Sequence, residues 1–260
     1  MIPESFIVSW RENVKWQTPG QVEQDLVISK ALVCLYQDSH IADSLIFRGG
    51  TALNKLFIKP PARYSEDIDF VQKRAEPIGA TIEKIRGVLN PWLGDPKWKA
   101  GTRGFKLFYQ YKNIDGFPVK LKVEINTTEH FRALPLRYEP FSVKSEWFSG
   151  SCQIQTYEPA ELIATKIRAF YQRRKGRDLF DLWYVLKHDL VETDSIIDIF
   201  RQYCANDGLL ISAELFRKNL ELKKLNRDFR EDMNVLLPYK TEWDFDDAYN
   251  LVLNNLINRL

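Results

Sequence analysis

The sequence predicts an α/β protein in which a mixed-sheet core over residues 1–145 is followed by a helical domain over residues 146–260. Two observations predict this class. Before residue 145, short segments with apolar residues at every second position alternate with segments of helical spacing, whereas beyond the strand predicted at residues 152–156 the helical spacing dominates. A chain of 260 residues is also long enough to bury a substantial core.

Composition narrows the class further. Hydrophobic residues make up 45% of the chain and aromatic residues 13%, which argues against disorder. No apolar run approaches the roughly 18 to 20 residues that cross a bilayer, and the N-terminus lacks the features of a signal peptide, so we expect a soluble, cytoplasmic protein without a membrane partner. The three histidines lack the spacing of a zinc site, and a net charge of +2 does not by itself indicate a nucleic-acid binder.

The first predicted elements lead to a glycine pair. Residues 21–36 predict an amphipathic helix that packs on the core, residues 45–47 a short buried strand, Gly49 and Gly50 a tight turn, and residues 51–57 the start of a helix. In such a unit, free backbone N–H groups and the positive end of the helix dipole face outward and can bind phosphate. A glycine pair alone is more often an ordinary turn.

An acidic strand follows the glycine pair. Asp67 and Asp69 alternate with Ile68 and Phe70, so both carboxylates lie on one face of the strand and both apolar side chains on the other. Two carboxylates this close repel each other unless one is protonated or a cation is shared. Their hard oxygen atoms suit Mg²⁺ or Mn²⁺, to which the phosphates of an NTP add further ligands. An isolated Asp-x-Asp is also common on solvated strands, but its position after the glycine pair favours a metal–nucleotide site.

Three basic residues lie between the glycine pair and the acidic strand. Lys55, Lys59 and Arg63 either contact phosphate or RNA in this position or are simply exposed. The sequence does not distinguish between these alternatives. The next predicted element is a helix at residues 77–92.

Two strands joined by a hairpin turn are predicted at residues 105–111 and 119–126. On the second strand, Glu124 shares the polar face with Lys120 and Lys122. Glu124 is therefore either a third carboxylate of the metal site or a member of an ordinary cross-strand charge pair. Both interpretations stay open.

Two helices of the second half carry charged residues on an apolar face. With about 100° of rotation per residue, Lys166 and Arg173 fall within the apolar arc of the helix predicted at residues 159–173. Asp178 likewise falls within the apolar arc of the helix predicted at residues 177–188. A buried ammonium must pair with an acid or open onto a cavity that binds an anion. The residues alone are consistent with a structural ion pair between Lys166 and Asp178 and with a functional site.

Two sequence blocks resemble those of one known family, the AbiEii/AbiGii-type toxins. These are nucleotidyltransferase-like proteins of abortive-infection and type IV toxin–antitoxin systems. The first block reads Gly49-Gly50-Thr51-Ala52-Leu53-Asn54-Lys55 and then Arg63-Tyr64-Ser65-Glu66-Asp67-Ile68-Asp69. The second consists of Leu162, Lys166, Ala169, Arg173, Arg177, Asp178, Asp181 and Leu182. The wider nucleotidyltransferase superfamily more often has Gly-Ser in place of Gly50-Thr51 and a shorter spacer before the acidic pair.

The resemblance implies a nucleotidyltransferase-like core and a helical domain that closes its cleft. The implied catalytic residues are Asp67, Asp69, Lys166 and Asp178. The implied nucleotide-binding residues are Gly49, Gly50, Thr51, Ser65 and Lys166. Mg²⁺ or Mn²⁺ would be held by Asp67 and Asp69, with Glu124 as a third candidate ligand. The basic segment that would suit an RNA backbone contains Arg173, Arg174, Lys175 and Arg177.

Family resemblance also implies the substrates and the partner. Members act on RNA, so we expect nucleotidyl transfer from an NTP to RNA, with the tRNA 3′ end as the best expectation and a block of translation as the result. A separately encoded antitoxin would counteract the toxin without a stable complex. The alternatives are nucleotidyl transfer to a protein or a small molecule, and non-catalytic binding of RNA or nucleotide.

Overall fold

The strands of the first part of the chain form one mixed sheet, in which the buried apolar segments lie. The computed structural model describes residues 2–260, and within them the sheet has seven strands. They are β1 (Leu45–Arg48), β2 (Asp67–Gln72), β3 (Lys97–Gly101), β4 (Gly104–Lys112), β5 (Pro118–Asn126), β6 (Arg137–Lys144) and β7 (Ser149–Thr156). Their order is β3-β4-β5-β2-β1-β7-β6. β2 lies antiparallel to β1 and parallel to β5, so the predicted acidic strand lies inside the sheet, not at its edge.

By its internal contacts the chain divides into two units. The first comprises residues 2–130 and 136–157, and the second comprises residues 131–135 and 158–260. The division falls after Tyr157, later than the predicted boundary at residue 145, because β7 pairs with β1 and β6 pairs with β7. The helices of the first unit are α1 (Glu4–Trp10), α2 (Pro19–Gln37), α3 (Ser39–Ser44), α4 (Gly49–Ala52) and α5 (Gly79–Leu93).

The two strands that the sequence does not predict, β3 and β6, lie at the edges of the sheet. Every residue of β3 is exposed, and β6 contains Pro140 and buries only Val143. Edge strands tolerate proline and exposure on both faces, so the alternation of apolar and polar residues is weak there. The inner strand β5 shows the predicted alternation, because Leu121, Val123 and Ile125 are buried and the residues between them are not.

The predicted helix at residues 21–36 is α2, but the prediction that it is amphipathic is wrong. Its polar residues Glu23, Gln24 and Asp25 are at most 5% exposed. α2 contacts α1, α3, α5, β6 and β7, so it is surrounded by the rest of the first unit. Gln24 Nε2 donates to the carbonyl oxygen of Glu66 at 3.1 Å, which fixes the backbone immediately before β2.

The second unit is helical, as the sequence predicts. Its helices are α6 (Pro159–Gln172), α7 (Gly176–Lys187), α8 (Thr193–Asn206), α9 (Ala213–Lys224), α10 (Arg227–Glu231) and α11 (Phe245–Asn255), followed by a 3₁₀ turn at Ile257–Arg259. α6 and α7 bury the predicted apolar arcs, including Ile167, Phe170, Leu179 and Leu182. No helix within residues 2–260 is long and apolar enough to cross a membrane.

Lys55 and Arg63 both make contacts within the first unit, so the alternative that they are simply exposed is wrong, while contact with phosphate or RNA stays a prediction. Lys55 Nζ donates to Asp25 Oδ2 and to Ser29 Oγ, both at 2.9 Å, and the Lys55 and Asp25 side chains are 8% and 3% exposed. Arg63 is 1% exposed and donates to the carbonyl oxygen of Tyr64 at 3.0 Å. Both basic residues therefore stabilise the first unit.

We predict that Lys55→Met lowers the free energy of unfolding by about 3 kcal/mol, because it leaves the Asp25 carboxylate buried without its cation. Urea unfolding followed by tryptophan fluorescence measures this. The exposed Lys59 provides the control, and Lys59→Met should change stability by less than about 0.5 kcal/mol. Equal, small effects of both substitutions would show that the pair does not stabilise the fold.

Candidate active site

Asp67 and Asp69 lie on the partly exposed face of β2, while Ile68 and Phe70 are buried on the other face. Because β2 and β5 are parallel, Asp67 lies opposite Lys122 and Asp69 lies opposite Glu124. The alternation predicted from the sequence is therefore present. The pairing of β2 with β5, which the alternation does not predict, places a third carboxylate and an ammonium beside the acidic pair.

Lys122 supplies the positive charge among these carboxylates. Its Nζ atom lies 3.0 Å from Asp67 Oδ2 and 3.0 Å from Glu124 Oε2. Burial acts to lower the pKa of Lys122, but Asp69 and Asp67 outweigh it, and the pKa is raised well above its ordinary value. Lys122 is thus held as a cation between two strands and offsets the repulsion expected from the acidic residues.

The surroundings of Asp69 hinder its ionisation. Burial raises its pKa, and the nearby Asp67 and Glu124 carboxylates act in the same direction, whereas Lys122 and Arg48 lower it. The net shift is upward. An additional cation near Asp69 would therefore favour the charged carboxylate.

Glu124 makes the charge pairs that one of the two sequence interpretations describes. Lys106, opposite it on β4, lies 2.8 Å from Glu124 Oε1. Burial acts to raise the pKa of Glu124, but hydrogen bonds from Lys106 and Lys122 lower it. The assignment of Glu124 as a third metal ligand stays a prediction.

The donor chemistry of this site fits a divalent cation. Among residues 2–260, no group of three or more His, Cys, Asp or Glu side chains is arranged to hold a metal ion. However, two carboxylates share one face of β2, and the Lys122 ammonium already lies where a cation relieves their repulsion. Hard oxygen donors around a position that favours positive charge are what Mg²⁺ requires.

The glycine pair begins the helix directly instead of forming a separate turn before it. α4 starts at Gly49, directly after the last residue of β1, and a π-helix over Leu53–Phe57 follows it. Gly49 has φ of +82°, and a Cβ atom placed on it would lie 2.8 Å from Asp69 Oδ2. Only glycine meets both conditions, so the backbone at the start of α4 passes close to the Asp69 carboxylate.

Thr51 and Ser65 are joined to each other next to the acidic strand. Thr51 Oγ1 lies 2.7 Å from Ser65 Oγ and donates to the carbonyl oxygen of Asp67 at 2.5 Å. Thr51 is 1% exposed, so its hydroxyl group serves to position the backbone of β2. Any contact of Thr51 with a nucleotide would come from its backbone N–H.

Arg48 lies beside the acidic strand, although no pattern in the sequence predicts a role for it. It lies opposite Asp69 in the β1–β2 pair, and its Nη1 atom donates to Glu129 Oε2 at 2.5 Å. Burial acts to lower its pKa, but Glu129 and other acidic neighbours raise it. Its position immediately before the glycine pair is the sequence signal that could have indicated it.

Lys166 and Asp178 pair within the helical unit, which is the structural alternative left open by the sequence. Lys166 Nζ lies 3.3 Å from Asp178 Oδ1 and 2.7 Å from Asp181 Oδ2. Arg173 Nε lies 2.7 Å from Asp178 Oδ2, so Asp178 is shared by two cations. Burial acts to raise the pKa of Asp178, but Lys166 and Arg173 lower it to about 2. The catalytic role of Lys166 stays a prediction.

The basic segment between α6 and α7 contains residues in different environments. Arg174 and Lys175 are exposed. Arg173 is engaged with Asp178, and the backbone N–H of Arg177 donates to Asp232 Oδ2 at 2.9 Å. Arg174 and Lys175 are therefore the members of this segment that are most accessible to an anion.

The chain matches known proteins over nearly its whole length. A family model described as the nucleotidyl transferase AbiEii toxin of type IV toxin–antitoxin systems matches residues 30–251. The chain belongs to this family. AbiEii membership makes it a nucleotidyltransferase and implies a nucleotide substrate and an antitoxin partner. No curated protein matches the chain in sequence.

Solved structures share the fold of this AbiEii protein. MenT4, a nucleotidyltransferase toxin from Mycobacterium tuberculosis H37Rv, is 15% identical with a TM-score of 0.68, and the match covers 100% of this chain and 91% of MenT4. A protein from H. pylori described as a nucleotidyltransferase is 18% identical with a TM-score of 0.54, over 94% and 96% of the two chains. JHP933 from Helicobacter pylori is 17% identical with a TM-score of 0.53, over 94% of each chain. The predicted nucleotidyltransferase-like fold is thereby confirmed.

We predict that Lys122→Met lowers the free energy of unfolding at pH 7.5 by about 2 kcal/mol, because it leaves the partly buried acidic group without its shared cation. Millimolar MgCl₂ should raise the melting temperature of this variant more than that of the wild type, since the divalent cation can replace the lost ammonium. Thermal unfolding with and without MgCl₂ measures both effects. Lys106→Met is the control, because Lys106 pairs with Glu124 alone and is 40% exposed. An equal response of all three proteins to MgCl₂ would contradict a cation site at this position.

We predict that the helical unit loses stability in acid as Asp178 is protonated. A carboxylate with a depressed pKa contributes stability that is present above its unfolded pKa of about 4 and is lost as the pH falls through the folded value. For Asp178 the folded value is about 2, so the loss should occur between pH 4 and pH 2. In that interval, the free energy of unfolding should fall less steeply with decreasing pH for Asp178→Asn than for the wild type, which urea unfolding at a series of pH values measures. Parallel curves would show that Asp178 is not the group that titrates.

Proposed function

We propose that this AbiEii nucleotidyltransferase transfers an NMP unit from an NTP to RNA, that the acceptor is a tRNA 3′ end, and that the modification blocks translation in the cytoplasm. The acidic face of β2 beside the start of α4 is the observation that supports the proposal most directly. There the backbone of Gly49 lies against the Asp69 carboxylate, and the Lys122 ammonium lies between Asp67 and Glu124. A metal-bound triphosphate needs such a combination of acids and accessible backbone.

Asp67 and Asp69 would hold Mg²⁺, with Glu124 as the third candidate ligand. When bound, the ion would supply charge neutralisation to the triphosphate and to the developing negative charge. Gly49 and Gly50 would bind phosphate oxygens through their backbone N–H groups at the start of a helix. Arg48, opposite Asp69, would hold this carboxylate in its charged form.

Lys166 would neutralise charge on the departing pyrophosphate while the RNA hydroxyl oxygen attacks the α-phosphorus in line. The new O–P bond would replace the bond to pyrophosphate, and the hydroxyl proton would pass to solvent. Asp178, with its pKa of about 2, is a poor acceptor for the hydroxyl proton at neutral pH. Its role in this proposal is to hold Lys166 and Arg173 in position. Both residue groups, Asp67 with Asp69 and Lys166 with Asp178, would be needed for one reaction.

Exposed Arg174 and Lys175 would contact the RNA backbone, together with their neighbours Arg173 and Arg177. The antitoxin would be separately encoded and would counteract the toxin without a stable complex. These two assignments rest on the family and on the charge of the segment.

The test of the acceptor is incubation of the purified protein with each α-labelled NTP, MgCl₂ and total RNA. We expect label in the tRNA fraction, at the 3′ end. Label in a protein band or in a small molecule would assign the activity to a different acceptor. Omission of MgCl₂, with and without replacement by MnCl₂, tests the metal requirement in the same reaction.

We predict that Asp69→Asn lowers the transfer rate by about 100-fold or more, because it removes charge where the metal-bound triphosphate would be stabilised. The substitution should not lower the melting temperature. A carboxyl group whose pKa is raised on folding contributes stability below its unfolded pKa and loses it as the pH rises, so ionised Asp69 opposes folding at neutral pH. Retained transfer by a folded Asp69→Asn protein would show that the acidic face of β2 is not the catalytic centre.

A further inference from the structure

A cavity of about 320 Å³ lies within the helical unit, beside the C-terminal end of α6 and the C-terminal half of α9. Its volume is within the range of roughly 300 to 1,000 Å³ that is typical of small-ligand sites. The residues that line it include Tyr171, Arg173, Arg174, Asn219, Leu222 and Lys223. The proposed reaction uses the charge of Arg174 but leaves the cavity itself without a role.

One buried polar atom of this cavity is unsatisfied. Asn219 Oδ1 is buried and has no hydrogen-bond partner within the part of the chain that the structure describes. A buried amide oxygen without a donor is unfavourable, and such atoms are rare in folded proteins. A ligand that donates a hydrogen bond would remove the penalty.

Positive charge surrounds the same cavity. Lys223 Nζ donates to the carbonyl oxygen of Tyr171 at 2.9 Å and to that of Phe170, at the C-terminal end of α6. Lys223 is 5% exposed, and burial lowers its pKa to about 8. Exposed Arg174 lies at the cavity as well. These cations favour an anionic ligand.

The cavity also has an aromatic and an apolar wall. The Tyr171 ring is held by an edge contact with Phe216, with ring centroids 5.1 Å apart. Leu222 is 72% exposed, so its apolar surface is accessible at the cavity. An aromatic ring and an apolar side chain beside a basic group are typical of sites that bind an unpaired base and its phosphate.

We propose that this cavity binds one unpaired nucleotide of the RNA acceptor. The base stacks against Tyr171 and Leu222, its exocyclic amino group donates to Asn219 Oδ1, and its phosphate pairs with Arg174. Adenine and cytosine carry such an amino group and uracil does not, so the cavity discriminates against uracil. The proposal rests on the proposed function, since it assumes that RNA is the acceptor.

The test is equilibrium binding of fluorescein-labelled single-stranded RNA to the full chain, without NTP or divalent cation so that no transfer occurs. We expect the wild type to bind oligo(A) and oligo(C) about tenfold more tightly than oligo(U), as expected for a direct contact with a base edge. Asn219→Leu should remove this preference and leave the melting temperature unchanged or raised, because it removes an unsatisfied polar atom.

Two further variants separate the phosphate contact from general charge. Arg174→Ala should weaken binding to all three RNAs and reduce the slope of log K against log salt by about 0.7, the value for one lost phosphate contact to a single strand. Arg217→Ala, also an exposed arginine but not one that lines the cavity, is its control. Asn250→Leu, on the exposed face of α11, is the control for Asn219→Leu.

Each outcome has a distinct meaning. RNA binding in which the preference for amino-bearing bases is lost with Asn219→Leu supports the proposal. RNA binding without a base preference, or with one that Asn219→Leu leaves intact, overturns it but not the proposed function. Absence of RNA binding contradicts the RNA acceptor itself. In a further outcome, AMP or CMP at the same concentration as the labelled RNA displaces this RNA from the wild type but not from Asn219→Leu. This result would assign the cavity to a free nucleotide and overturn the RNA assignment.

Discussion

Electrostatic repulsion among three carboxylates is the constraint around which the first unit is arranged. Asp67, Asp69 and Glu124 lie on two adjacent parallel strands, and the Lys122 ammonium offsets their mutual repulsion. The ammonium favours the ionised form of these carboxylates and offsets the repulsion that would destabilise the folded sheet. The neighbouring elements preserve this geometry, because Gln24 fixes the backbone before β2 and α4 begins at the level of Asp69.

Local patterns in the sequence predict some of the elements around these acids. Alternation of Asp67 and Asp69 with apolar residues predicts the strand and its polar face, whereas the glycine pair, predicted as a turn before a helix, belongs to α4 itself. The position of Lys122 could not be predicted in the same way, because it depends on the parallel pairing of β5 with β2 over more than 50 residues of chain. The edge strands β3 and β6 were missed for a different reason, namely that exposed strands carry little alternation.

In the helical unit, the helical spacing of apolar residues indicates which charged residues lie on apolar faces, but it does not indicate which of them pair with each other. The helical spacing places Lys166, Arg173 and Asp178 on apolar arcs, and the structure joins them in one network in which Lys166, Asp178 and Asp181 are buried and Arg173 is exposed. Such a network contributes to folding and can also position Lys166 for catalysis. A sequence can show that a charge is in an unusual place, but the choice between these roles depends on contacts between helices.

The sheet has one consequence for the synthesis of this protein. β1, which carries the backbone into the glycine pair, is flanked on one side by β7, and Thr156 Oγ1 donates to the carbonyl oxygen of Phe47 at 2.7 Å. More than 100 residues of chain separate these two partners. A growing polypeptide therefore cannot complete its central sheet until β7 has left the ribosome, and contacts this distant in sequence form slowly. Until then, the strand that leads into the glycine pair has only one of its two neighbours.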